Sequence, residues 1–379
     1  MLRISFLTIP DPEGHGPALL LTGDWLFVKL SDGKLTGLGE ASHSGDDAGC
    51  IRRMTQLFQA HLTNVSPDLD SIAALEAGPF ARAGDFVTAT AISALDQALY
   101  DLVARSRSVP VWRLFAQVPG RTTLPLYATI NRCLTTRTLQ DYRRMVGLAR
   151  DRGFRIYKCA PFDHVTPDGD QLAQAREGLL TLRAMRREFG ELGMRIDFHQ
   201  RFTRESFMRL LPEIEALAPD WIEEPFPISE GYRELRRRTS LKLAAGELFF
   251  GVEGFRPLIE GGWADVVMPD VKHVGGFGPM LRVCRLAAEH GVEVSPHNPS
   301  GPVSTMASAH LAALFPNVTS LEVPLDGDGT RARYAEGLGD GGIAVPPAGP
   351  DRVGTGEGPT RPGWGIEAEA LERFALGRE

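Results

Sequence analysis

The sequence predicts a (β/α)₈ barrel joined to a smaller α+β unit, and three observations carry that prediction. The first is a rhythm. From Leu124 onward, short apolar runs alternate with amphipathic stretches, as repeated strand–helix units require. The runs are LPLYATI, FRIYKCA, MRIDFH, DWIEEP, LKLAAGE, ADVVMPD, VEVSPH and VTSLEV, eight in all. The second is spacing. The last polar residues of the runs are Asn131, Lys158, Asp197, Glu223, Glu247, Asp270, His297 and Glu322, so the gaps are 27, 39, 26, 24, 23, 27 and 25 residues. A barrel of about 250 residues averages roughly 31 per unit. The third is the chemistry of those residues. Barrels build their sites at the C-terminal ends of the strands, and here nearly every such end is ionisable.

The elements follow in chain order. Residues 1 to about 40 read as strands, with β-type runs at 19–21 and 26–30 and turn signals at Gly23-Asp24 and Asp32-Gly33. The stretch PDPEGHGP over 10–17 reads as a loop between strands. From about 46 to 115 the period becomes helical. Over 87–102, Ala91, Leu95, Ala98, Leu99 and Leu102 recur at the spacing of a buried helix face. The barrel rhythm then begins, with helix-like stretches such as 171–189 and 204–217 between the runs. The one long gap holds the loop PFDHVTPDGDQ after the second run. Beyond Glu322 the chain is rich in Gly and Pro from 326 to about 362. Such a segment does not form a core of its own and is expected to wrap back onto the N-terminal unit. The α+β unit is therefore assigned to 1–122, completed by about 350–379, and the barrel to 123–349.

Composition excludes several classes. The chain has 379 residues, 43% apolar and 23% charged, with a formal net charge of -7. That is ordinary for a soluble enzyme and unlike the basic surface a nucleic-acid partner selects. The densest basic stretch, 233–238, is interrupted by Glu234 and Leu235 and reads as a solvated helix face. Cys50, Cys133, Cys159 and Cys284 are far apart, which argues against a disulfide framework or thiolate zinc site and fits a reducing compartment. The N-terminus lacks a signal-peptide core, and no stretch approaches the roughly 18 apolar residues of a membrane span. A soluble, cytoplasmic protein with no membrane partner is expected.

Asp197, Glu223 and Glu247 end three consecutive strands. Neighbouring strands lie about 4.8 Å apart, so these carboxylates repel one another unless a cation sits among them. Hard oxygen ligands suit Mg²⁺. Strand alternation lets only one residue of the Glu223-Glu224 pair face inward, and Glu223 is the assigned ligand. Asp270 and His297 end the next two strands, an arrangement that orients an imidazole and makes His297 a general base. His199, two residues after Asp197, is placed on the same face as that ligand and approaches from the side opposite His297 as a second acid/base group. Lys158 points into the barrel for carboxylate binding or proton chemistry. Glu322 donates a hydrogen bond to an enolate oxygen if protonated, or accepts one from a donor ligand. Asn131 is a substrate-binding candidate by position. His15 and His43 are candidates because their loops belong to the unit that covers the barrel mouth.

At this point the residues resemble the enolase superfamily, specifically its mandelate racemase-like acid-sugar dehydratases. The resemblance covers nearly the whole chain. GLGEAS, GFRIYKCAPFD, RIDFHQRF, DWIEEPFP, AAGE, VMPDVKHVGG, VSPHNPSGPVS and SLEVP fall in the family's order and spacing. By position, its metal ligands match Asp197, Glu223 and Glu247, its His–Asp dyad His297 with Asp270, and its eighth-strand glutamate Glu322. The closest pattern is the galactonate dehydratase type, with a histidine where His199 stands. The N-terminal unit resembles the superfamily's capping domain. One departure is informative. Many members carry Lys-x-Lys on the second strand, and here the stretch is Lys158-Cys159-Ala160. Losing the second lysine disfavours a racemase, epimerase or cycloisomerase, which needs a base on each face. Elimination needs one base and one acid, and His297 with His199 supplies both. The resemblance thus implies a Mg²⁺-dependent hydro-lyase acting on a sugar acid, in a dimer or octamer. A non-catalytic barrel would have lost a metal ligand, and none is lost. Which acid is used rests with loops 10–24 and 42–50 and with the loop bearing Asp163, His164 and Asp168.

Overall fold

The computed structural model describes residues 1–9, 24–120, 124–134, 136–325 and 359–375. The sequence-predicted loop at 10–17 and run at 19–21 lie outside the described residues.

Strands β1 (Arg3–Ile9), β2 (Trp25–Ser31) and β3 (Thr36–Glu40) form an antiparallel sheet in that order. Helices α1 (Asp47–His61), α2 (Leu69–Ala77) and α3 (Phe86–Ser106) follow. Asp46, Asp68 and Asp85 cap them, each side chain accepting from a backbone N–H of the first turn. Helix α3 buries Ala91, Leu95, Ala98, Leu99 and Leu102, the face read from the sequence. It lies so close to β3 that a Cβ on Gly39 would fall 1.9 Å from the Ala94 carbonyl oxygen. Glycine is therefore required there.

A helix over Ala368–Ala375 and the segment before it pack on this unit. Trp364 is fully buried, its indole N–H donates to the Leu38 carbonyl at 2.9 Å, and its backbone N–H donates to Asp101. Lys29 pairs with Glu372.

Eight parallel strands follow: β4 (Leu126–Thr129), β5 (Ile156–Cys159), β6 (Gly193–Asp197), β7 (Trp221–Glu223), β8 (Leu243–Ala245), β9 (Val266–Val267), β10 (Glu293–Val294) and β11 (Leu321–Pro324). Each overlaps one of the apolar runs. Helices α4 (Leu139–Asp151), α5 (Gln171–Glu188), α6 (Arg204–Glu215), α7 (Gly231–Arg238), α8 (Gly251–Ile259), α9 (Phe277–Glu289) and α10 (Pro302–Ala312) connect them. Strand β11 pairs with β4, and the ring closes between β10 and β11. There Thr319 N–H donates to the Val294 carbonyl at 2.9 Å, and the Ser295 and Ser320 hydroxyls bond at 2.9 Å. Closure leaves no sheet edge and gathers the strand ends into one ring.

Below that ring the interior is packed with Tyr127, Trp221, Ala244, Val266 and Met268. The Arg195 guanidinium sits among them, 3.6 Å from the Trp221 ring centroid and 4.1 Å from that of Tyr127. Its Nη1 donates to Ser320 Oγ at 3.1 Å. Stacking on two aromatic faces makes a buried guanidinium tolerable.

Two buried carboxylates tie the N-terminal unit to the barrel. Glu40 accepts from the Gly301 and Ser304 N–H groups at 2.8 and 2.9 Å, at the start of α10. Asp96 accepts from Phe277 N–H at 2.6 Å at the start of α9. Both satisfy helix N-termini whose N–H groups have no intrahelical partner. Glu40→Ala is expected to cost roughly 2–6 kcal/mol, because it orphans two buried N–H groups at about 1–3 kcal/mol each. Glu40→Gln should cost less. Its amide oxygen still accepts, and burial already raises the pKa of Glu40 and disfavours its charge. Urea unfolding of the two variants measures the difference.

Cys50, Cys159 and Cys284 are buried free thiols. Among the described residues, no helix is long and apolar enough to cross a membrane.

Candidate active site

The ring of strand ends opens into a cavity of about 460 Å³, the size of a small-molecule site. Asp197 ends β6, Glu223 ends β7 and Glu247 lies two residues beyond β8. One carboxylate oxygen from each lies within 4.8 Å of the others. Asp197 Oδ2 and Glu247 Oε2 are buried and accept no hydrogen bond among the described residues. Glu224 is turned elsewhere by a left-handed backbone at φ 42. Its carboxylate accepts from Gly246 N–H at 2.8 Å and from the Gln200 amide at 2.6 Å.

Lys158 is buried in the middle of this cluster. Its Nζ lies 2.9 Å from Glu223, 3.1 Å from Glu322 and 3.4 Å from Asp197. Burial opposes its charge, but Glu223 and Glu322 outweigh burial and hold its pKa well above the ordinary value. Even with the His199 imidazolium beside Asp197, one ammonium against four carboxylates leaves excess negative charge. It shows in the acids: burial, then Asp197, pushes Glu223 up to about 8, and burial, then Glu224, raises Glu247 well above the usual range. An all-oxygen donor set with surplus negative charge, and with Asp197 Oδ2 and Glu247 Oε2 accepting no hydrogen bond among the described residues, fits a hard divalent cation. The Trp221 indole N–H holds Glu223 Oε2 at 3.1 Å and orients it.

Glu322 is ionised in this arrangement. Burial raises its pKa, but Lys158 and His297 more than reverse that. Its Oε2 also accepts from Asn298 N–H at 3.2 Å. Of the two states read from the sequence, the structure presents the acceptor.

His297 Nδ1 lies 2.8 Å from Asp270 Oδ2, and its Nε2 faces Glu247 Oε2 at 3.3 Å. Asp270 is fully buried. Burial raises its pKa, yet Lys272 and His273 hold it far below the carboxylate range. Lys272 grips both its oxygens, through Nζ and through the backbone N–H at 2.8 Å. His273 is pushed by burial down to about 3 and is neutral; it bonds Thr90 and lies against Phe86.

His199 faces the cavity, but not by strand alternation. It stands beyond the end of β6 in a left-handed turn at φ 45, and its N–H donates to Asp197 Oδ1 at 2.9 Å. That turn brings its Nε2 to 3.0 Å from Asp197 Oδ2, while its Nδ1 lies 2.5 Å from Asp163 Oδ1. Burial lowers the imidazole pKa, and Asp197 and Asp163 together raise it well above the ordinary value. In an eight-stranded ring ordered β10-β9-β8-β7-β6, β6 and β10 stand four strands apart. His199 and His297 therefore face each other across the mouth.

Asn131 lines the cavity and accepts from Ala160 N–H at 2.7 Å, tying the loop after β5 to β4. His43 is buried at the cavity wall, its Nε2 2.9 Å from Arg132 Nη2. His15 lies outside the described residues. The sequence reading missed Lys272, His273, Arg132, Phe86, Thr129 and Arg201, all of which line the cavity. Two signals were available: Lys272 follows Asp270 by two residues and Arg132 adjoins Asn131.

A (β/α)₈ barrel with an oxygen-only carboxylate cluster between opposed histidines has the groups for acid–base chemistry assisted by a divalent cation. Residues 141–371 match the family model described as Enolase C-terminal domain-like, and residues 21–116 match that of the Mandelate racemase / muconate lactonizing enzyme, N-terminal domain. The chain belongs to the enolase superfamily, in its mandelate racemase/muconate lactonizing enzyme branch. It is 28% identical over 309 residues to a D-galactonate dehydratase of Verminephrobacter eiseniae, covering 79% of this chain and 78% of that one. It is 26% identical over 306 residues to that of Cronobacter sakazakii, covering 79% and 78%. The crystal structure of a mandelate racemase/muconate lactonizing enzyme-like protein from Roseovarius sp. superposes with a TM-score of 0.82 at 23% identity, over 98% of this chain and 94% of that one. One from Rubrobacter xylanophilus gives 0.80 at 25%, over 98% and 96%.

Proposed function

We propose that the chain is a Mg²⁺-dependent dehydratase of a sugar acid. The observation that carries this is the pair of opposed histidines, each backed by a carboxylate, on either side of the Asp197, Glu223 and Glu247 cluster. These three would hold Mg²⁺, which when bound lowers the cost of the extra negative charge on the substrate carboxylate. Lys158 binds the carboxylate. His297 removes the C2 proton. The electron pair left at C2 forms the C2–C3 double bond as the C3–O bond breaks. His199 gives its proton to the departing hydroxyl, which leaves as water. Glu322, ionised beside Lys158, holds that ammonium in place for the carboxylate, and Asn131 and His43 line the cavity that takes the substrate chain. The enol product takes a proton at C3 and becomes a 2-keto-3-deoxy acid. The barrel over 123–349 carries this chemistry, capped by 1–122 with about 350–379. The names of the curated relatives support the same reaction class.

A competing reading, epimerisation at C2, uses the same opposed pair. A sugar-acid library incubated with Mg²⁺ and assayed for 2-keto-3-deoxy acids separates the two. Dehydration gives a coloured product from one or a few stereoisomers. Solvent deuterium entering C2 with no such product favours epimerisation.

A further inference from the structure

His199 is not an isolated group, and its surroundings repeat those of His297. His297 presents Nδ1 to Asp270, which Lys272 grips from behind, and turns Nε2 to a cluster carboxylate. His199 presents Nδ1 to Asp163 at 2.5 Å, and Nε2 to a cluster carboxylate at 3.0 Å. Asp163 is in turn paired through its other oxygen with Arg137 Nη1. The same nitrogen donates to the Ala160 carbonyl at 3.2 Å. Asp163 is 5% exposed and comes from the loop after β5, a different element from the one bearing His199.

We propose that Asp163 is a positioning residue for His199, and that Asp163 and Arg137 form a second His–carboxylate–cation relay dedicated to leaving-group departure. The proposal rests on the dehydratase reading of the site. The two ring nitrogens lie on different edges of the imidazole. With Nδ1–H given to Asp163, Nε2 is the nitrogen left facing the cavity, and the proton it donates starts from a fixed point. His199 needs such a clamp because it stands off the strand in a left-handed turn, where the ladder no longer orients it. The loop that supplies Asp163 begins at Ala160, the position where many superfamily members carry a second lysine. Here that loop delivers a carboxylate to His199, on the adjacent strand's end.

The test uses the full chain with Mg²⁺ and the acid sugar found by the library screen. Asp163→Leu removes the acceptor, Asp163→Asn keeps an oxygen that accepts from Nδ1–H, and Asp163→Glu keeps the charge. Asp163→Leu should lower kcat for dehydration about 100-fold, within the usual range for a lost acid/base function. KM and deuterium exchange at C2 should stay within about threefold on the same grounds. Asp163→Asn should fall between Leu and the native protein. The 3-deoxy-3-fluoro analogue loses fluoride with less help from a proton, so its elimination should survive Asp163→Leu. Equal loss of C2 exchange, dehydration and fluoride elimination in a folded Asp163→Leu protein overturns the proposal and leaves the dehydratase reading intact. A second readout does not depend on turnover. The native protein should show a strongly downfield imidazole N–H resonance that vanishes in both Asp163→Leu and His199→Asn and persists in His297→Asn. Absence of that resonance overturns the pairing. A native protein that exchanges C2 but eliminates nothing overturns the dehydratase reading and the leaving-group role together.

Discussion

Chelating divalent metal should reduce turnover to background, and Mg²⁺ should restore it. Glu247→Gln should cost at least about 10³-fold in kcat/KM, comparable to the loss of a main electrostatic contact to the transition state. The reason is the charge ledger of the cluster. Asp197, Glu223 and Glu247 converge within 4.8 Å, and with Glu322 they outnumber the two cations beside them, Lys158 and the His199 imidazolium. The same ledger predicts a result that needs no substrate. Burial and Asp197 raise Glu223 from 4.5 to about 8. A carboxyl raised on folding stabilises the fold below its unfolded pKa, and that contribution is lost as pH rises through the folded value. Metal-free protein should therefore lose stability between about pH 4.5 and pH 8. Added Mg²⁺ should raise the thermal midpoint more at pH 8 than at pH 6, because binding to the folded state alone stabilises it by mass action. A midpoint indifferent to Mg²⁺ at pH 8 would contradict the metal assignment.

His297→Asn should abolish exchange of the C2 proton with solvent and lower dehydration by about 10³-fold or more, toward the upper range for a general base. Asn approximates the imidazole in size, so the loop should keep its shape. That loop is also held from elsewhere. Asn298 bonds Thr305 and the Glu322 carbonyl, and Glu40 holds the Gly301 and Ser304 N–H groups. Asp270→Asn should cost less than His297→Asn yet more than Asp163→Asn, since Asp270 orients the base that breaks the C–H bond. The measurement is loss of the C2 proton signal in deuterated buffer. Exchange that survives His297→Asn would move the base to His199 or Lys158.

Much of this site was legible in the sequence because strand ends in a closed barrel obey simple rules. Period-two alternation and regular spacing mark Lys158, Asp197 and Glu223 as residues at or next to the C-terminal ends of strands, and closure places any such residue at one mouth; Glu322, the second residue of β11, starts deeper in the barrel and still lines the cavity. Glu247, Asp270 and His297 lie two or three residues beyond their short strands, close enough for the same rule to find them. Neighbours on adjacent strands follow from the same logic, as Asp197 on β6 and Glu223 on β7 stand directly in register.

What the chain alone determined, then, is the barrel, the order of its strands and the set of groups at its mouth. These depend on local period and on the ring that any eight such units must close. Only the tertiary structure decided which group partners which. Asp163 and His199 are 36 residues apart, and Glu40 and Gly301 are 261 apart. His199 and Glu224 owe their directions to left-handed turns rather than to alternation, and His43 is buried against Arg132, 89 residues away in sequence. The physical reason is that loops leave the hydrogen-bonded ladder. Beyond it, direction is set by individual backbone dihedrals and by the packing of distant segments, neither of which has a period that a sequence displays.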